Sequence, residues 1–347
     1  MELSLKQKQI VEDDSDKIVV IAAAAAGKTA TMAEKVRHIL RQGVNPKEIV
    51  VITFTNMAAE ELRARLGEDF NNDVFIGTIH SLANYFLMAS GIDTSKYLND
   101  EKFDKLFSLV KRHPGCIRPI SFLLLDEAQD STPLEFEFIF DMIKPKKFMV
   151  IGDRRQSIYQ WRGSVPTLLT NLAAEDGVVS YDLNENYRNG ANILNYAKKI
   201  IRSTGMYDTS IAMREEGGTV VEIEYSLQTL KRYLEKLKDK GSWVVLTRTN
   251  SEADSVEYFL KKEGFKVDSF KQGQLTREEL LKKMKDDSIK VLTIHSSKGL
   301  EWDYACVIGA RFFSQEERCI SYVAATRARK GLLWMVAPRK KKTYNWE

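Results

Sequence analysis

Short apolar runs alternate with amphipathic helical stretches along this 347-residue chain. Runs of about four to eight residues are typical of strands buried on both faces of a sheet. In the first half they occupy 18–21, 48–55, 74–79, 122–125 and 148–151, and in the second half 178–183, 219–225, 243–247, 289–294, 304–310 and 332–336. Strands that alternate with helices predict parallel sheets covered by helices, so the expected fold class is α/β.

Helical periodicity fills the intervals between these runs. Helices are predicted at 28–40, 56–66, 133–143, 231–240 and 316–330, the last carrying Arg327 and Arg329. The opening stretch 3–12 also has helical spacing, and Gln7 on it is either a solvated residue or an amide placed to read an adenine edge. A polar stretch broken by glycine and proline predicts a small helical insertion within about 82–121. We therefore expect one domain over 1–175 and a second over 176–347.

The first strand leads into five alanines and then into Gly-Lys-Thr, the layout of a phosphate-binding loop. Backbone N–H groups at the start of a helix face the phosphate, so bulky side chains cannot line such a loop. Lys28 can reach the outer phosphates, and the Thr29 hydroxyl can ligate Mg²⁺. The expected nucleotide contacts are Ala24, Ala25, Ala26, Gly27, Lys28, Thr29 and Ala30. Alternatively the alanines simply open a helix, although the preceding strand favours the loop.

Two carboxylates, Asp126 and Glu127, follow the strand at 122–125. Paired carboxylates at the end of a buried strand suit a magnesium-dependent site, with Asp126 holding the metal and Glu127 polarising water. The pair could instead cap the helix that begins near Pro133. The phosphate loop upstream favours the metal and base interpretation. Gln156, after the next strand, is placed to sense the γ-phosphate.

Aromatic and arginine side chains interleave further on, at Arg154, Arg155, Tyr159, Trp161 and Arg162. This composition suits stacking of single-stranded bases, although a tryptophan is more often buried.

Phe54, near the end of the second strand, either packs in the core or presents its face to a base. Asn56 is expected to cap the next helix. His80 has no evident second metal ligand, so capping or phosphate contact is favoured over metal binding.

Composition narrows the class of protein. The formal net charge is +4, which permits a polyanionic partner without requiring one. Three cysteines without metal spacing indicate reduced packing residues of an intracellular protein. The start MELSLKQKQ has no apolar signal-peptide core, and no run reaches roughly 18 apolar residues, so we expect a cytoplasmic protein without a membrane partner. The basic tail 339–347 is either a loose phosphate contact or a solubilising end.

Nine stretches, taken in order, resemble the motifs of the UvrD/Rep/PcrA group of superfamily 1 DNA helicases. They are LSLKQKQIV, AAAAAGKT, ITFTNMAAEEL, GTIHS, LLLDEAQD, GDRRQSIYQWRG, NENYRN, TIHSSKGLEW and YVAATRARK. The resemblance runs nearly from end to end, and the ordered set over both halves makes it specific. It departs from the family at Ala23 and Ala25, where glycines are usual, and at Arg155, which replaces an acidic residue.

The resemblance implies two tandem RecA-like domains of the P-loop NTPase type, with ATP and Mg²⁺ in the cleft between them and single-stranded DNA across their top. It assigns catalysis to Lys28, Glu127, Gln156, Arg188 and Arg327, the two arginines being arginine fingers. It implies that Thr29 and Asp126 bind Mg²⁺. Further implied nucleotide contacts are Gln7 and Tyr187 at adenine, Glu301 at ribose, and the two arginines Arg188 and Arg327. The implied DNA contacts are Thr53, Phe54, Thr55, Asn56, Thr78, His80, Tyr159, Trp161, Arg162 and His295.

The expected activity is ATP-driven 3′-to-5′ movement along single-stranded DNA, coupled to strand separation. The direction follows from the Q-S-I-Y-x-W-R form of the third motif. The family's large accessory domains, after His80 and after Arg248, are here replaced by stretches of only about forty residues. We therefore expect a compact monomeric motor of DNA repair or replication, acting on single-stranded and 3′-tailed duplex DNA.

Two alternatives belong to other functional classes. One is a DNA-stimulated ATPase subunit that needs a protein partner to unwind duplex, or that recruits a nuclease or a replication or repair factor. The other is a small-molecule phosphotransferase. Its hydrolysis would be indifferent to DNA, and no stretch of this chain resembles an acceptor-binding lid.

Overall fold

The computed structural model describes residues 2–67, 73–100, 102–270 and 275–336, and the chain divides into two compact units, Met1–Glu185 and Asn186–Glu347. Each unit is built on a six-stranded sheet whose strands pair in parallel. The predicted α/β class with two parallel sheets is confirmed. The basic tail at 339–347 lies outside the described residues.

The sheet of the first unit is covered by helices on both faces. Its strands are β1 Lys17–Ala22, β2 Ile49–Ile52, β3 Phe75–Gly77, β4 Phe122–Leu125, β5 Lys147–Gly152 and β6 Val179–Leu183, in the spatial order β3-β2-β4-β5-β1-β6. Its helices are α1 Leu5–Glu12, α2 Lys28–Arg41, α3 Asn56–Leu66, α4 Ile79–Ala89, α5 Ser95–Asn99, α6 Lys105–Arg112, α7 Pro133–Phe136 and α8 Thr167–Ala173. A π-helix over Glu137–Ile143 continues α7.

Strand β4 shows why the sequence reads as continuous apolar runs. Leu124 packs into a core cluster with residues of α2 and α3, whereas Leu123 and Leu125 face the opposite cluster, formed with α4 and α6. Every position of β4 is therefore buried. Parallel strands that are covered on both sides have no solvent-exposed face, so their apolar residues do not alternate with polar ones.

The second unit repeats this arrangement. Two short strands, β7 Glu185–Asn186 and β8 Ile211–Ala212, pair with each other. The main sheet consists of β9 Thr219–Glu224, β10 Trp243–Thr247, β11 Val267–Asp268, β12 Ile289–Thr293, β13 Trp302–Ile308 and β14 Ala328–Val336, in the order β11-β12-β10-β13-β14-β9. The helices are α9 Ala191–Arg202, α10 Leu227–Leu237, α11 Asn250–Lys262, α12 Arg277–Lys285 and α13 Gln315–Ala325. Within the described ranges, no helix combines the length and apolar character that crossing a bilayer requires.

The division between the units falls after Glu185, whereas the sequence pattern places it after residue 175. The difference lies in β6, which the pattern assigns to the second half. This strand is the edge of the first sheet, with Val179 opposite Ile18 and Leu183 opposite Ala22 of β1. Most of β6 is solvent-facing or half-buried, so its local sequence does not specify which sheet it joins.

The last helix ends earlier than its periodicity predicts. Helix α13 stops at Ala325, and the predicted continuation through 330 is wrong. The Thr326 hydroxyl bonds to carbonyl oxygens of the last turn, and the chain enters β14 at Ala328. Arg327 consequently lies in the connection between helix and strand, not on the helix surface.

Candidate nucleotide site and the adjoining surface

The carboxyl ends of the strands in the first sheet gather most of the predicted chemistry. In an open parallel sheet, ligands bind outside these ends. The loop before α2 follows β1, Asp126 and Glu127 follow β4, and Asp153 follows β5. Because β4, β5 and β1 are neighbours in the sheet, these segments meet at one edge.

The alanine run forms a turn between β1 and α2, and the helix begins at Lys28. The alternative that the alanines open the helix is therefore wrong. Gly27 is the N-cap, with φ of 79°, and a Cβ atom there would lie 2.4 Å from Gln7 Nε2. Only glycine accommodates both the left-handed backbone and this close approach. Gly27 also has no side chain to cap the first N–H groups of α2, which suits an anion at this end.

Gln7 is buried rather than solvated, at 1% exposure. Its Nε2 donates to the Ala26 carbonyl at 3.1 Å, and its Oε1 accepts from Ser4 N at 2.9 Å. Ser4 and Gln7 form the capping box of α1. The amide therefore joins the start of α1 to the phosphate loop, and the solvated interpretation is wrong.

Ala25 has a left-handed backbone, with φ of 57°, at a position where the sequence departs from the helicase group by lacking glycine. We expect Ala25→Gly to raise the free energy of unfolding by about 0.5–1 kcal/mol. The left-handed conformation costs a residue with a side chain roughly 1–2 kcal/mol, and the added freedom of glycine in the unfolded chain offsets about 0.4–1 kcal/mol of that. Equilibrium denaturation measures the change. Ala23→Gly, where φ is not positive, is the matched control and should destabilise; an equal loss in both variants would contradict strain at Ala25.

Lys28 and Glu127 form an ion pair at 3.1 Å between Nζ and Oε1, with side chains only 11% and 20% exposed. The second carboxylate oxygen of Glu127 accepts a hydrogen bond from Gln129 Nε2. Glu127 occupies the N-cap position of a short 3₁₀ turn, Ala128–Asp130, but its side chain makes no capping bond. Its φ of 52° is left-handed, a strain that proteins retain mainly where function requires it. The carboxylate is thus directed to the lysine and not to helix capping.

The oxygen donors present fit a magnesium ion. Asp126 is buried, and its Oδ1 accepts from the Glu127 amide at 2.9 Å. Thr29 lies in the first turn of α2. Among the described residues, no group of three or more His, Cys, Asp or Glu converges. One carboxylate and one hydroxyl suit Mg²⁺, which keeps several waters and shares phosphate oxygens of its substrate.

A buried polar network connects the Glu127 carboxylate to Gln156. Its two central residues, Gln129 and Asp153, were not among the residues predicted from the sequence. Gln129 donates to Glu127 and accepts from Asp153 N at 2.8 Å. Asp153 accepts from Gln156 Nε2 at 2.8 Å and from Arg155 Nε at 2.6 Å. Both missing residues sit beside predicted ones, in DEAQD and GDRRQ, but only the pairing of β4 with β5 reveals that they touch.

Aromatic side chains form a cluster on the same unit. Phe54 stacks on Tyr159 at 4.8 Å between ring centroids, and the Arg162 guanidinium lies over both rings at 5.3 and 5.7 Å. Trp161 is 68% exposed, 6.5 Å from Tyr159. The interpretation of Trp161 as a core residue is wrong, and Phe54 is only half-buried. The cluster leaves aromatic surface in solvent next to a cation.

Thr53 is buried directly after β2, and the other predicted contacts in this unit lie at helix starts. Thr55, not Asn56, caps α3, because its hydroxyl accepts from Ala58 N. Thr78 caps α4, so capping is not the role of His80. These caps hold the starts of both helices at the sheet edge.

A pocket of about 50 Å³ joins the two sets of residues. It is lined by Ile52, Thr53, Phe54, Thr78, Ile79, His80, Leu125, Asp126, Glu127, Ser131, Glu135 and Arg162. The carboxylates of the candidate nucleotide site thus share a lining with residues of the predicted DNA surface.

In the second unit, Arg188 and Glu301 form an ion pair. Burial alone would raise the pKa of Glu301, but the charges of Arg188 and Arg329 outweigh it and hold that pKa below its usual range. Arg188 also donates to the Thr326 carbonyl at 3.3 Å. The carboxylate therefore stays charged beside the arginine at neutral pH.

Arg327 is buried at 1% exposure. Its guanidinium donates to the carbonyls of Val323 and Leu300 and to the Thr326 hydroxyl. Tyr187 is exposed at 40%, and His295 lies half-buried in a 3₁₀ turn after β12. The structure thus brings Arg188, Glu301 and Arg327 together through the segment around Thr326.

Family models match both units. A model described as the UvrD/REP helicase N-terminal domain matches residues 3–114 and 115–176, and one described as the UvrD-like helicase C-terminal domain matches residues 181–284 and 270–339. Together they cover nearly all of the chain.

Individual relatives agree with these matches. The chain is 24% identical to a probable DNA helicase of Mycoplasma pneumoniae, over 95% of this chain and 82% of that protein. It is 26% identical to the Gabija protein GajB of Bacillus cereus, over 83% of this chain and 69% of that protein. It is 25% identical to the ATP-dependent DNA helicase Rep of Escherichia coli, over 58% of this chain but only 43% of Rep. The match thus spans less than half of the length of Rep.

Proposed function

Since this chain belongs to the UvrD-like family of ATP-dependent DNA helicases, we propose that it moves 3′-to-5′ along single-stranded DNA and couples ATP hydrolysis to strand separation. The direction is inferred from the Q-S-I-Y-x-W-R form of residues 156–162. The observation that carries the coupling is a single pocket whose lining includes Asp126 and Glu127 together with Phe54 and His80. A change at the nucleotide can thereby reach the proposed DNA contacts through the pocket lining that both sets of residues share.

The proposed chemistry is attack of a water oxygen on the γ-phosphorus of ATP, with breakage of its bond to the bridging oxygen of ADP. Glu127 orients that water and takes its proton, a role that the surrounding hydrogen bonds support by fixing the carboxylate. Lys28 binds the outer phosphate oxygens as a point charge. Mg²⁺, held by Thr29 and Asp126, would neutralise phosphate charge when bound. Gln156 reports on the γ-phosphate through Asp153 and Gln129.

Further residues complete this proposal. Arg188 and Arg327 would stabilise charge on the transferring phosphate. The guanidinium of Arg327 donates to three acceptors in the second unit, which fix its orientation there. Tyr187 would stack on adenine, Gln7 would read the adenine edge and Glu301 would contact ribose. The proposed DNA contacts are Thr53, Phe54, Thr55, Asn56, Thr78, His80, Tyr159, Trp161, Arg162 and His295.

The deciding experiment compares ATP hydrolysis with and without single-stranded DNA, and then strand displacement on 3′-tailed and 5′-tailed duplexes. We expect DNA to stimulate hydrolysis and only the 3′-tailed duplex to be unwound. Displacement of the 5′-tailed duplex would overturn the direction. Hydrolysis indifferent to DNA would overturn the motor itself and favour a phosphotransferase.

A second candidate is a translocating ATPase subunit that needs a protein partner, such as a nuclease or a repair factor, to unwind duplex. The short insertion favours it, because between α4 and β4 the described residues form only the small helices α5 and α6 and a 3₁₀ turn. DNA-stimulated hydrolysis without displacement of either tailed duplex would support this candidate.

Trp161→Ala is expected to weaken binding of single-stranded DNA by about 1–3 kcal/mol, because an exposed ring beside Tyr159 and Arg162 offers a stacking face to a base. Fluorescence anisotropy with a labelled oligothymidine measures the change. Tyr258→Ala removes a ring that is 72% exposed on the second unit and serves as the control, with no loss expected. Equal affinity of Trp161→Ala and the unmodified protein would remove this residue from the DNA surface.

A further inference from the structure

The small helical insertion opens a second pocket beside the predicted DNA surface. Its volume is about 380 Å³, and it is lined by His80, Lys102, Phe103, Asp104, Lys105 and Arg162. His80 and Arg162 also line the smaller pocket at the carboxylates. The two pockets are therefore neighbours that share these two side chains, within a single unit.

His80 holds the insertion beside these two pockets. Its ring stacks on Phe107 of α6 at 5.0 Å and lies 5.8 Å from Phe103. Its Nε2 lies 3.0 Å from Asp104 Oδ1. Phe107 is buried in the core of the unit. The segment 102–105 is consequently held in place by the packing of His80 on Phe103 and Phe107 and by the polar contact of His80 with Asp104.

The chemistry of segment 102–105 suits a nucleotide unit of a single strand. Lys102 and Lys105 are exposed cations, and Phe103 exposes 41% of its surface. Among the described residues of the lining, Asp104 is the one carboxylate, and His80 contacts it. Lys102 also pairs with Asp100 at 3.0 Å, but both side chains are exposed, and such pairs contribute little and yield readily to a phosphate. Cations beside an exposed ring are the combination with which proteins hold single strands.

We propose that Lys102, Phe103 and Lys105 form an additional contact for single-stranded DNA, with the lysines on the backbone phosphates and Phe103 stacked on a base. The contact extends the strand from the Phe54–Tyr159–Arg162 cluster onto the insertion, through Arg162, which both pockets share. This inference rests on the proposed function, since it requires a strand bound along the first unit.

The test is equilibrium binding of labelled oligothymidine over a salt series. Each lost phosphate contact lowers the steepness of log K against log salt by about 0.7 for a single strand. We expect the double variant Lys102→Gln/Lys105→Gln to lower this slope by about 0.7–1.4. Phe103→Ala should weaken affinity by about 5- to 150-fold and leave the slope unchanged. Lys96→Gln, an exposed lysine on α5 outside the pocket lining, is the matched control and should leave the slope unchanged.

The outcomes separate this inference from the function on which it rests. If the unmodified protein binds oligothymidine but the double lysine variant keeps its slope, or loses no more than Lys96→Gln does, the additional contact is overturned and the motor stands. If Phe103→Ala binds as tightly as the unmodified protein, the stacking role is overturned. If the unmodified protein does not bind single strands, the proposed function and this inference both fail.

Discussion

Glu127→Gln is expected to produce a protein that binds ATP and DNA but hydrolyses ATP about 10²- to 10⁴-fold more slowly, the usual contribution of a positioned general base. The substitution keeps the shape of the side chain and removes its ability to take a proton. It also removes the negative charge that pairs with Lys28 at 3.1 Å. Because that charge competes with phosphate for the lysine, we expect ATP affinity to be unchanged or higher.

Single-turnover hydrolysis and nucleotide binding, measured separately, distinguish this loss from a loss of affinity. Glu135→Gln provides a matched control in the same pocket lining. Glu135 accepts the Thr132 amide as part of a capping box, and a glutamine oxygen can keep that bond. We expect its hydrolysis to be nearly unchanged. Full turnover in Glu127→Gln would exclude this residue as the base.

Most strands could be predicted from the sequence because burial on both faces leaves a local mark. The three consecutive leucines of β4 are apolar since each faces one helical layer or the other. Strand β6 was predicted as the run at 178–183, but its sequence carries no mark of the sheet that it joins. It lies at the sheet edge, and one of its polar residues, Tyr181, is held by Asp13, 168 residues earlier in the chain. Which sheet an edge strand joins depends on such distant partners, so a local pattern does not determine it.

The same distinction applies to the candidate site. Lys28 and Glu127 were predictable because strand, loop and helix are contiguous around each. Their ion pair, and the bridge through Gln129 to Asp153, depend on the order of the strands in space, which no single motif contains. The burial of Arg327 could not be predicted from its residue type. Arginine is rarely buried. Two of its acceptors here, Val323 and Thr326, are sequence neighbours, but the third, the Leu300 carbonyl, is 27 residues away and meets Arg327 only in the folded unit.

Lys28→Ala is expected to lower ATP hydrolysis by at least about 10²- to 10³-fold, the loss typical when one donor to a developing phosphate or oxyanion charge is removed. Affinity for ATP should fall as well. The substitution deletes a cation and also leaves the Glu127 carboxylate, 20% exposed, without its counter-charge where phosphate must bind. The repulsion that results adds to the lost attraction.

This second effect makes a specific prediction for the double variant Lys28→Ala/Glu127→Gln. If the unpaired carboxylate repels phosphate, removing its charge should restore part of the ATP affinity that Lys28→Ala loses, although hydrolysis should not recover. The coupling energy from the four nucleotide-binding measurements isolates the pair. Circular dichroism of each variant controls for folding. Strict additivity, in which Glu127→Gln changes ATP affinity by the same factor in the unmodified protein and in Lys28→Ala, would mean that the ion pair at 3.1 Å has no part in setting nucleotide affinity, and that Lys28 acts on phosphate independently of Glu127.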